Sequence, residues 1–305
     1  MKKLGEMFGR RGRASRANER ARELEGVGRG DEAVAEYLRA CHLDPEWSVP
    51  EYNLGLFYKY QANWVRSFEH NLRATRLNAD DAAGWWNLGI AATALERWDA
   101  ARLAWRGAGI DIPEGEGPID YPSGTAPIRL DPDDQAEVVW SERLDPARAR
   151  VLSIPLPDSG FRFGDIVLND GAATGWRKLN EQEVPVFNCL ALLRASALST
   201  WVAEVDLSSA SSPVASAVAL LEELAQQRAL AAEDWSSSIH ILCKACSEGK
   251  PYSDHDHPVP EVGPRRRLAI AAPDAKHAER LLKDWRSRAG DIAVLRLELA
   301  LNAAV

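Results

Sequence analysis

The sequence has few cysteines and no long apolar run, and each shortage excludes a class of protein. Four cysteines among 305 residues are too few for a disulfide framework. No stretch approaches the roughly 20 apolar residues of a membrane span. The basic start of the chain has no apolar core behind it, so we expect neither a secretory signal nor a membrane partner. The sequence therefore favours a cytoplasmic protein, and its richness in Ala and Arg favours a bacterial one.

Motifs of common enzyme classes are also missing. The chain has no Gly-rich phosphate loop, no nucleophile elbow and no His-Glu-x-x-His run. These absences lower the expectation of an enzyme without excluding one. Hydrophobic residues make up 46% and charged residues 27% of the chain, which is typical of globular domains. The length indicates about two or three such domains.

Charge is unevenly distributed along the chain. The net charge is -8, which makes nucleic acid an unlikely main partner. Residues 1–110 carry 17 Lys and Arg against 15 Asp and Glu, and the remainder carries 20 against 30. Residues 1–13 are strongly basic. They are predicted to form an arm, either solvated and partly disordered or docked on an acidic partner.

A repeat with a period of 34 residues occupies the first third of the chain. Leu54-Gly55 recurs as Leu88-Gly89, and small residues recur at the same spacing at Ala33, Ser67 and Ala101 and at Ala40, Ala74 and Ala108. Two antiparallel helices of about a dozen residues with two short turns use about 34 residues. Small residues allow the helices to cross closely, and large aromatic residues such as Tyr37 and Trp105 fill the adjacent space.

This pattern resembles the tetratricopeptide repeat (TPR) family. Three units fit residues 14–113, although Arg20 and Ala21 replace Leu-Gly in the first, which indicates a capping unit. The resemblance implies a groove for a protein partner, lined by the first helix of each unit. Its predicted positions are Asn18, Arg22, Tyr52, Leu56, Lys59, Tyr60, Trp86 and Ile90. The alternative is that Tyr52 and Trp86 pack against the rest of the protein. Ala83 stands where family members that clamp a chaperone tail have Lys, so that ligand is not expected.

The residue composition changes twice in the middle of the chain. Residues 114–136 are rich in Pro, Gly and Asp and are predicted to be a linker, with some extended chain near Ile128. Residues 137–196 contain four or five short β-rich runs separated by turn residues. These runs predict a small SH3-like barrel, and an irregular β-meander is almost as consistent with them.

Residues 197–305 show a β-α-β-β-α-β order, which predicts a ferredoxin-like domain. The predicted strands are Trp201–Leu207, Ser238–Cys243, Leu268–Ala271 and Ile292–Leu299, and the predicted helices are Pro213–Arg228 and Asp274–Arg288. Ferredoxin-like sheets that bind RNA present aromatic side chains on the central strands. No paired Phe or Tyr stands there, so RNA binding is not expected.

A predicted hairpin at residues 243–257 contains a cluster of possible metal ligands. Cys243, Cys246, His255 and His257 follow a Cys-x2-Cys-x8-His-x-His spacing. Four thiolate and imidazole ligands suit tetrahedral zinc, and a four-ligand site is closed and structural. The alternative is a reduced cysteine pair beside a polar loop that contains histidine. If one of the four were not a ligand, an open and catalytic zinc site would result.

Together these features predict a multi-domain α and α+β protein with TPR hairpins, a small β domain and a ferredoxin-like domain. The predicted role is a non-enzymatic adaptor or regulator that binds another protein through the TPR groove and contains a structural zinc. An immunity protein that neutralises a basic toxin is a specialised version, because acidic charge would steer such a partner. The alternative is a zinc-dependent hydrolase or transferase whose TPR part recruits substrate.

Overall fold

The computed structural model describes residues 2–134, 137–179, 182–238 and 263–303. The chain divides into two compact units, residues 1–121 and 122–305. The boundary lies inside the predicted linker 114–136. Within the described ranges, none of the helices has the length and apolar character needed to cross a membrane.

The first unit consists of six helices arranged as three antiparallel hairpins. They are α1 (Lys2–Gly26), α2 (Gly30–Leu43), α3 (Ser48–Tyr60), α4 (Trp64–Leu77), α5 (Ala82–Ala94) and α6 (Trp98–Gly107). Each odd-numbered helix contacts the even-numbered helix that follows it, and α3 also contacts α5. The prediction of TPR-like repeats in this third of the chain is confirmed.

The predicted basic arm is not a separate segment, because α1 already begins at Lys2. This stretch lacks proline, so nothing interrupts a helix that is nucleated further along. Arg11 also ties it to the turn between α2 and α3. Its Nε lies 2.5 Å from Asp44 Oδ2, and its guanidinium lies 5.1 Å from the centre of the Trp47 ring.

The helices of the second and third hairpins approach closely because a glycine on the first helix faces a larger side chain on the second. A Cβ on Gly89 would lie 2.7 Å from the Trp105 ring, and a Cβ on Gly55 would lie 2.5 Å from the Asn71 amide. Both distances are far below van der Waals contact. Asn71 therefore occupies in the second unit the position that Trp105 holds in the third. Its Nδ2 donates to the Ser67 carbonyl at 2.9 Å.

The segment after α6 remains bound to the helical unit. Arg102 Nη1 donates to the Gly117 carbonyl at 2.8 Å, and Arg106 Nη2 donates to the Ile112 carbonyl at 3.1 Å. The first residues of the predicted linker are therefore held against α6 by two arginines rather than left free.

The second unit begins with a closed five-stranded barrel. Its strands are β1 (Thr125–Arg129), β2 (Val138–Arg143), β3 (Arg148–Val151), β4 (Ile166–Leu179) and β5 (Gln182–Arg194). Neighbouring strands are antiparallel, except that β1 runs parallel to β5 where it closes the barrel. Ile128 and Leu130 are buried in the barrel core.

Strand β1 lies inside the predicted linker, where the sequence predicts no more than some extended chain near Ile128. One of its two pairing partners, β5, is distant in sequence, and Pro127 stands in the middle of a five-residue run. Neither a short strand nor one that contains proline is expected from local pattern. The strand forms because Ile128 pairs both with Val139 of β2 and with Phe187 of β5.

The rest of the second unit is a four-stranded antiparallel sheet with two long helices. Its elements are β6 (Ser199–Asp206), α7 (Val214–Gln226), β7 (Ala231–Asp234), α8 (Trp235–Ser238), β8 (Arg265–Ala272), α9 (Ala275–Ala289) and β9 (Ala293–Leu301). The strand order is β7-β8-β6-β9. One face of the sheet packs against α7 and α9 around Leu221, Trp285 and Ile270.

The second strand of this sheet is not where the sequence predicts it. Strand β7 ends at Asp234, and Ser238 lies in the short helix α8, while residues 239–243 lie outside the described residues. The sequence Ala-Ala-Glu-Asp of β7 has low β propensity, so local pattern does not reveal it. Buried Leu230 and the pairing of β7 with β8 determine its position instead.

The opposite face of the sheet is covered by a strap from the barrel, Ile154-Pro155-Leu156. Ile154 and Leu156 pack against a second apolar cluster that includes Val202 and Trp235. The strap backbone is also bound by side chains. The Ile154 amide donates to Glu233 Oε2 at 2.8 Å, and the Ile154 carbonyl accepts from Trp235 Nε1 at 2.9 Å. Side chains and backbone of the strap thus both contact this face of the sheet.

A second carboxylate binds the same strap. Glu137 accepts from the Leu156 amide at 3.0 Å through Oε2 and at 3.2 Å through Oε1. Burial raises the pKa of Glu137 to about 7; the Leu156 hydrogen bond opposes this, and the nearby charge of Glu233 adds to it. The folded protein thus holds a proton on Glu137 at pH values where the unfolded chain has lost it.

This shift predicts a pH dependence of stability. Because the pKa of Glu137 is higher in the folded state, its effect on the free energy of unfolding is most favourable at low pH. That favourable effect is lost as pH rises from about 4.5 to about 7, and it amounts to at most about 3 kcal/mol. Urea unfolding of the wild type and Glu137→Gln from pH 4.5 to 8 measures this. The variant should lack this loss. Parallel pH curves for the two proteins would contradict the assignment.

Candidate functional site

The eight predicted groove residues lie on the first helix of each hairpin. Two are on α1, four on α3 and two on α5. Arg22 and Tyr60 are exposed, and Tyr52, Leu56 and Trp86 are half-buried. The remaining three, Asn18, Lys59 and Ile90, are buried. The helices thus bring all eight to one part of the unit, but only five present surface.

Ile90 cannot contact a partner in this structure, because its side chain is 0% exposed. Its neighbours Ala91 and Ala92 are also fully buried, so α5 is enclosed over this turn. A helix in the middle of a helical array is covered on several sides, and the apolar residues Ile-Ala-Ala suit that environment. The prediction of Ile90 as a groove residue is therefore wrong.

Asn18 and Lys59 join neighbouring helices. Asn53 Nδ2 donates to Asn18 Oδ1 at 2.8 Å, which links α3 to α1. Lys59 Nζ donates to Asn87 Oδ1 at 3.2 Å, which links α3 to α5. Buried polar groups of this kind need their partners, so these bonds set the relative position of the three helices. Asn53 and Asn87, both on the same repeat position, were outside the predicted site.

The aromatic residues of α3 and α5 form the accessible part of this face. Tyr60 is 57% exposed. The Lys59 ammonium lies 4.5 Å from the centre of the Tyr60 ring, within cation–π range. Trp86 packs edge-on against Trp105, with ring centres 5.3 Å apart. Among the described residues, buried Trp86 Nε1 has no hydrogen-bond partner. We call Tyr52, Tyr60 and Trp86 the aromatic face.

Trp85 has a different role from its neighbour. Its indole Nε1 donates to the Ala79 carbonyl at 2.8 Å, and its ring stands against Gly107, where a Cβ would overlap it. The adjacent tryptophans therefore point in different directions, as the repeat pattern predicts. Trp85 fixes the turn between the hairpins, and Trp86 contributes to the aromatic face.

A polar cluster is buried between α2, α3 and α4, away from the aromatic face. His70 Nδ1 lies 2.7 Å from Glu51 Oε2, and the His70 ring stacks on Tyr58. Burial raises the pKa of Glu51, but its contacts with His70 and Arg73 more than offset this and leave the pKa below its usual value. Local sequence pattern does not reveal this cluster, because its members lie on different helices and meet only in the folded unit.

The described cysteines are unsuited to nucleophilic chemistry. Burial is the main cause that raises the pKa of Cys41 to about 12, and nearby Glu51 adds to it. Burial likewise raises the pKa of Cys189 to about 12. Both side chains therefore remain neutral thiols at neutral pH, and the thiolate is the reactive form of cysteine. Cys41 and Cys189 pack as small apolar residues.

The predicted zinc ligands lie outside the described residues. Cys243, Cys246, His255 and His257 all fall within residues 239–262. Among the residues that the structure describes, no three His, Cys, Asp or Glu side chains are grouped so that they could hold a metal ion. The zinc prediction therefore stays a prediction.

Comparisons with known proteins concern the first third of the chain. No protein-family model matches the sequence, and no curated protein is similar to it. The second TPR of Spaghetti (RPAP3) bound to the HSP90 peptide SRMEEVD has a TM-score of 0.33 and 16% identity, over 35% of this chain and 92% of that one. The first TPR of Spaghetti with the same peptide has a TM-score of 0.30 and 21% identity, over 32% and 76%. Scores and identities this low identify no function for the chain.

Proposed function

We propose that this protein is an adaptor or regulator that binds another protein through the aromatic face of its helical unit. The observation that carries the proposal is the half-exposed set Tyr52, Tyr60 and Trp86 on the first helices of two adjacent hairpins. Tyrosine and tryptophan are enriched among the residues that contribute most to protein–protein affinity. They offer large apolar area and a polar atom at little entropic cost.

The surroundings of these aromatic residues also favour binding over core packing. The bonds between Asn53 and Asn18 and between Lys59 and Asn87 fix α1, α3 and α5 before any partner arrives. A pre-ordered surface loses little conformational entropy on association. Lys59 places a positive charge against the Tyr60 ring, so a carboxylate of the partner beside Tyr60 would be favoured.

The same architecture supports a finer classification of the second unit. We propose that the five-stranded barrel is SH3-like and that the sheet with its two helices is ferredoxin-like. The closed barrel and the sheet order β7-β8-β6-β9, with both long helices on one face, support this. An experimental structure with another strand order would contradict it.

A toxin-neutralising immunity role is a specialised form of the adaptor proposal. The acidic net charge of -8 would speed encounter with a basic toxin. This version is wrong if the purified protein binds no toxin encoded beside its gene. The cytoplasmic location stays a prediction.

We also propose a structural zinc bound by Cys243, Cys246, His255 and His257. The supporting observation is the ligand spacing, with two of the four cysteines and two of the six histidines inside fifteen residues. In the rival enzyme proposal, the same metal keeps an open position and turns over a substrate.

Zinc content tests the metal and separates the two proposals. We expect about one zinc per chain, lost in Cys243→Ser and retained in Cys41→Ser, which removes a thiol outside the motif. Zinc should be measured on purified protein together with proteolytic nicking near residues 243–257. A structural zinc predicts increased nicking in Cys243→Ser. Zinc-free wild type would contradict both proposals, and hydrolytic turnover lost without nicking would favour the enzyme.

The adaptor proposal is tested by removing two aromatic rings that are not among the buried core residues. We expect Tyr52→Ala/Tyr60→Ala to lose at least about tenfold in the amount of partner retained from native lysate, because central aromatic contacts typically contribute over 1 kcal/mol each. Trp86 is left intact because it packs on Trp105. Quantitative pull-down with mass spectrometry gives the measurement.

The matched control is Leu103→Ala on α6. Leu103 is 57% exposed, the same as Tyr60, but lies on a second helix of a hairpin. This variant should retain the partner. Equal loss in both variants, or no loss in either, would contradict binding through the aromatic face.

A further inference from the structure

Among the described strands, β9 is a long edge of the sheet. In the order β7-β8-β6-β9 it is an end strand, and among the described strands it pairs only with β6. It spans nine residues, whereas β7 at the other end spans four. Proteins usually protect an exposed edge with proline, lysine or a very short strand, because its free amides and carbonyls can pair with another chain. The sequence of β9, Ala-Val-Leu-Arg-Leu-Glu-Leu-Ala-Leu, has neither proline nor lysine.

The edge also exposes apolar side chains. Leu295 is 55% exposed and Leu299 is 42% exposed. Register shifts against β6 place extra residues at Leu295 and Ala300, so the regular part of the strand is 296–299. Two exposed leucines on either side of Leu297 are unfavourable in water unless something covers them.

The sequence of β9 is complementary to itself when two copies run antiparallel. With Leu297 opposite Leu297 of the second copy, Arg296 stands opposite Glu298. This charged pair occurs twice because of the two-fold symmetry. Directly opposed residues share a sheet face, so the two Leu297 side chains meet on one face and opposite charges meet on the other. Leu295 lies at the register shift, outside this regular part of the strand.

Arg296 and Glu298 already lie beside each other in the single chain, so each is near the position where it would meet its partner from a second copy. Arg296 Nη2 lies 2.5 Å from Glu298 Oε2 in the same strand, with side chains 61% and 38% exposed. Leu297 packs against the core between the sheet and the helices, and Leu299 is opposite Trp201 of that same face. The alternation of the two faces along residues 296–299 is therefore fixed by β6 before any second chain arrives.

We propose that β9 pairs antiparallel with β9 of a second copy of this chain, centred on Leu297, and forms one eight-stranded sheet across a dimer. The self-complementary order of Arg296, Leu297 and Glu298 is what specifies a second copy rather than an unrelated strand. An edge-to-edge contact centred on the regular residues 296–299 is a small interface, so we expect dissociation in the micromolar range. This inference concerns the second unit and does not depend on the adaptor proposal.

Charge reversal along the edge tests this pairing. Arg296→Glu places Glu opposite Glu298 twice in the dimer, and Glu298→Arg places Arg opposite Arg296 twice. We expect each single variant to weaken dimerisation by about tenfold or more. Arg296→Glu/Glu298→Arg restores opposite charges and should regain the wild-type dissociation constant. Sedimentation equilibrium on the full chain, whose monomer mass is 33.6 kDa, gives these constants.

Two controls keep the result interpretable. Arg76→Glu on α4 makes the same change in net charge elsewhere and should dimerise like the wild type. Far-UV circular dichroism of every variant shows whether the fold survives, which the high exposure of both edge side chains favours. A wild type that stays monomeric to about 100 µM, well above the micromolar range expected for this interface, would overturn the proposal. So would single variants that dimerise as well as the wild type, or a double variant that stays as weak as the singles.

Discussion

The close approach of the two helices in the second and third hairpins is the contact on which the helical unit depends. Gly55 and Gly89 leave no space for a Cβ against Asn71 and Trp105. This contact fixes the spacing inside both hairpins, which the 34-residue period places one after the other along the chain. The hydrogen bonds of Asn53 with Asn18 and of Lys59 with Asn87 join α3 to α1 and to α5, so they set the position of one hairpin relative to the next. The aromatic face exists because these contacts hold the first helices side by side.

The second unit is held together by packing on both faces of its sheet. Its sheet has a helical core on one face and the barrel strap on the other, so both faces are covered. Glu137 and Glu233 bind consecutive parts of that strap through its amides. Burial is the main cause that raises the pKa of Glu137, and the charge of Glu233 adds to it, so the stability of this contact between barrel and sheet depends on pH. Among the described strands, β9 is the longer of the two sheet edges.

Periodic features were predictable from the sequence, and contacts between distant segments were not. The repeat spacing, the packing of Trp85 and Trp105 and the helices α7 and α9 follow from local pattern. Strand β1 was predicted only as extended chain near Ile128, because the run is short and contains Pro127, and β7 was missed because Ala-Ala-Glu-Asp has low β propensity. The basic residues 1–13 were predicted as a separate arm because of their charge. That charge does not prevent a helix, and Arg11 anchors this part of α1 through Asp44. The prediction of Ile90 as a groove residue was wrong because the burial of its side chain depends on neighbours that the repeat register does not specify.

The central claim is that a protein partner contacts the aromatic face. The most direct measurement replaces Tyr60 with the photo-crosslinking residue p-benzoylphenylalanine, replaces Leu103 with it in a second protein, and illuminates both in native lysate. The account predicts a covalent adduct of defined mass from position 60 and none from position 103, since only the first lies on that face. Adducts of equal yield from both positions, or adducts only from position 103, would contradict it.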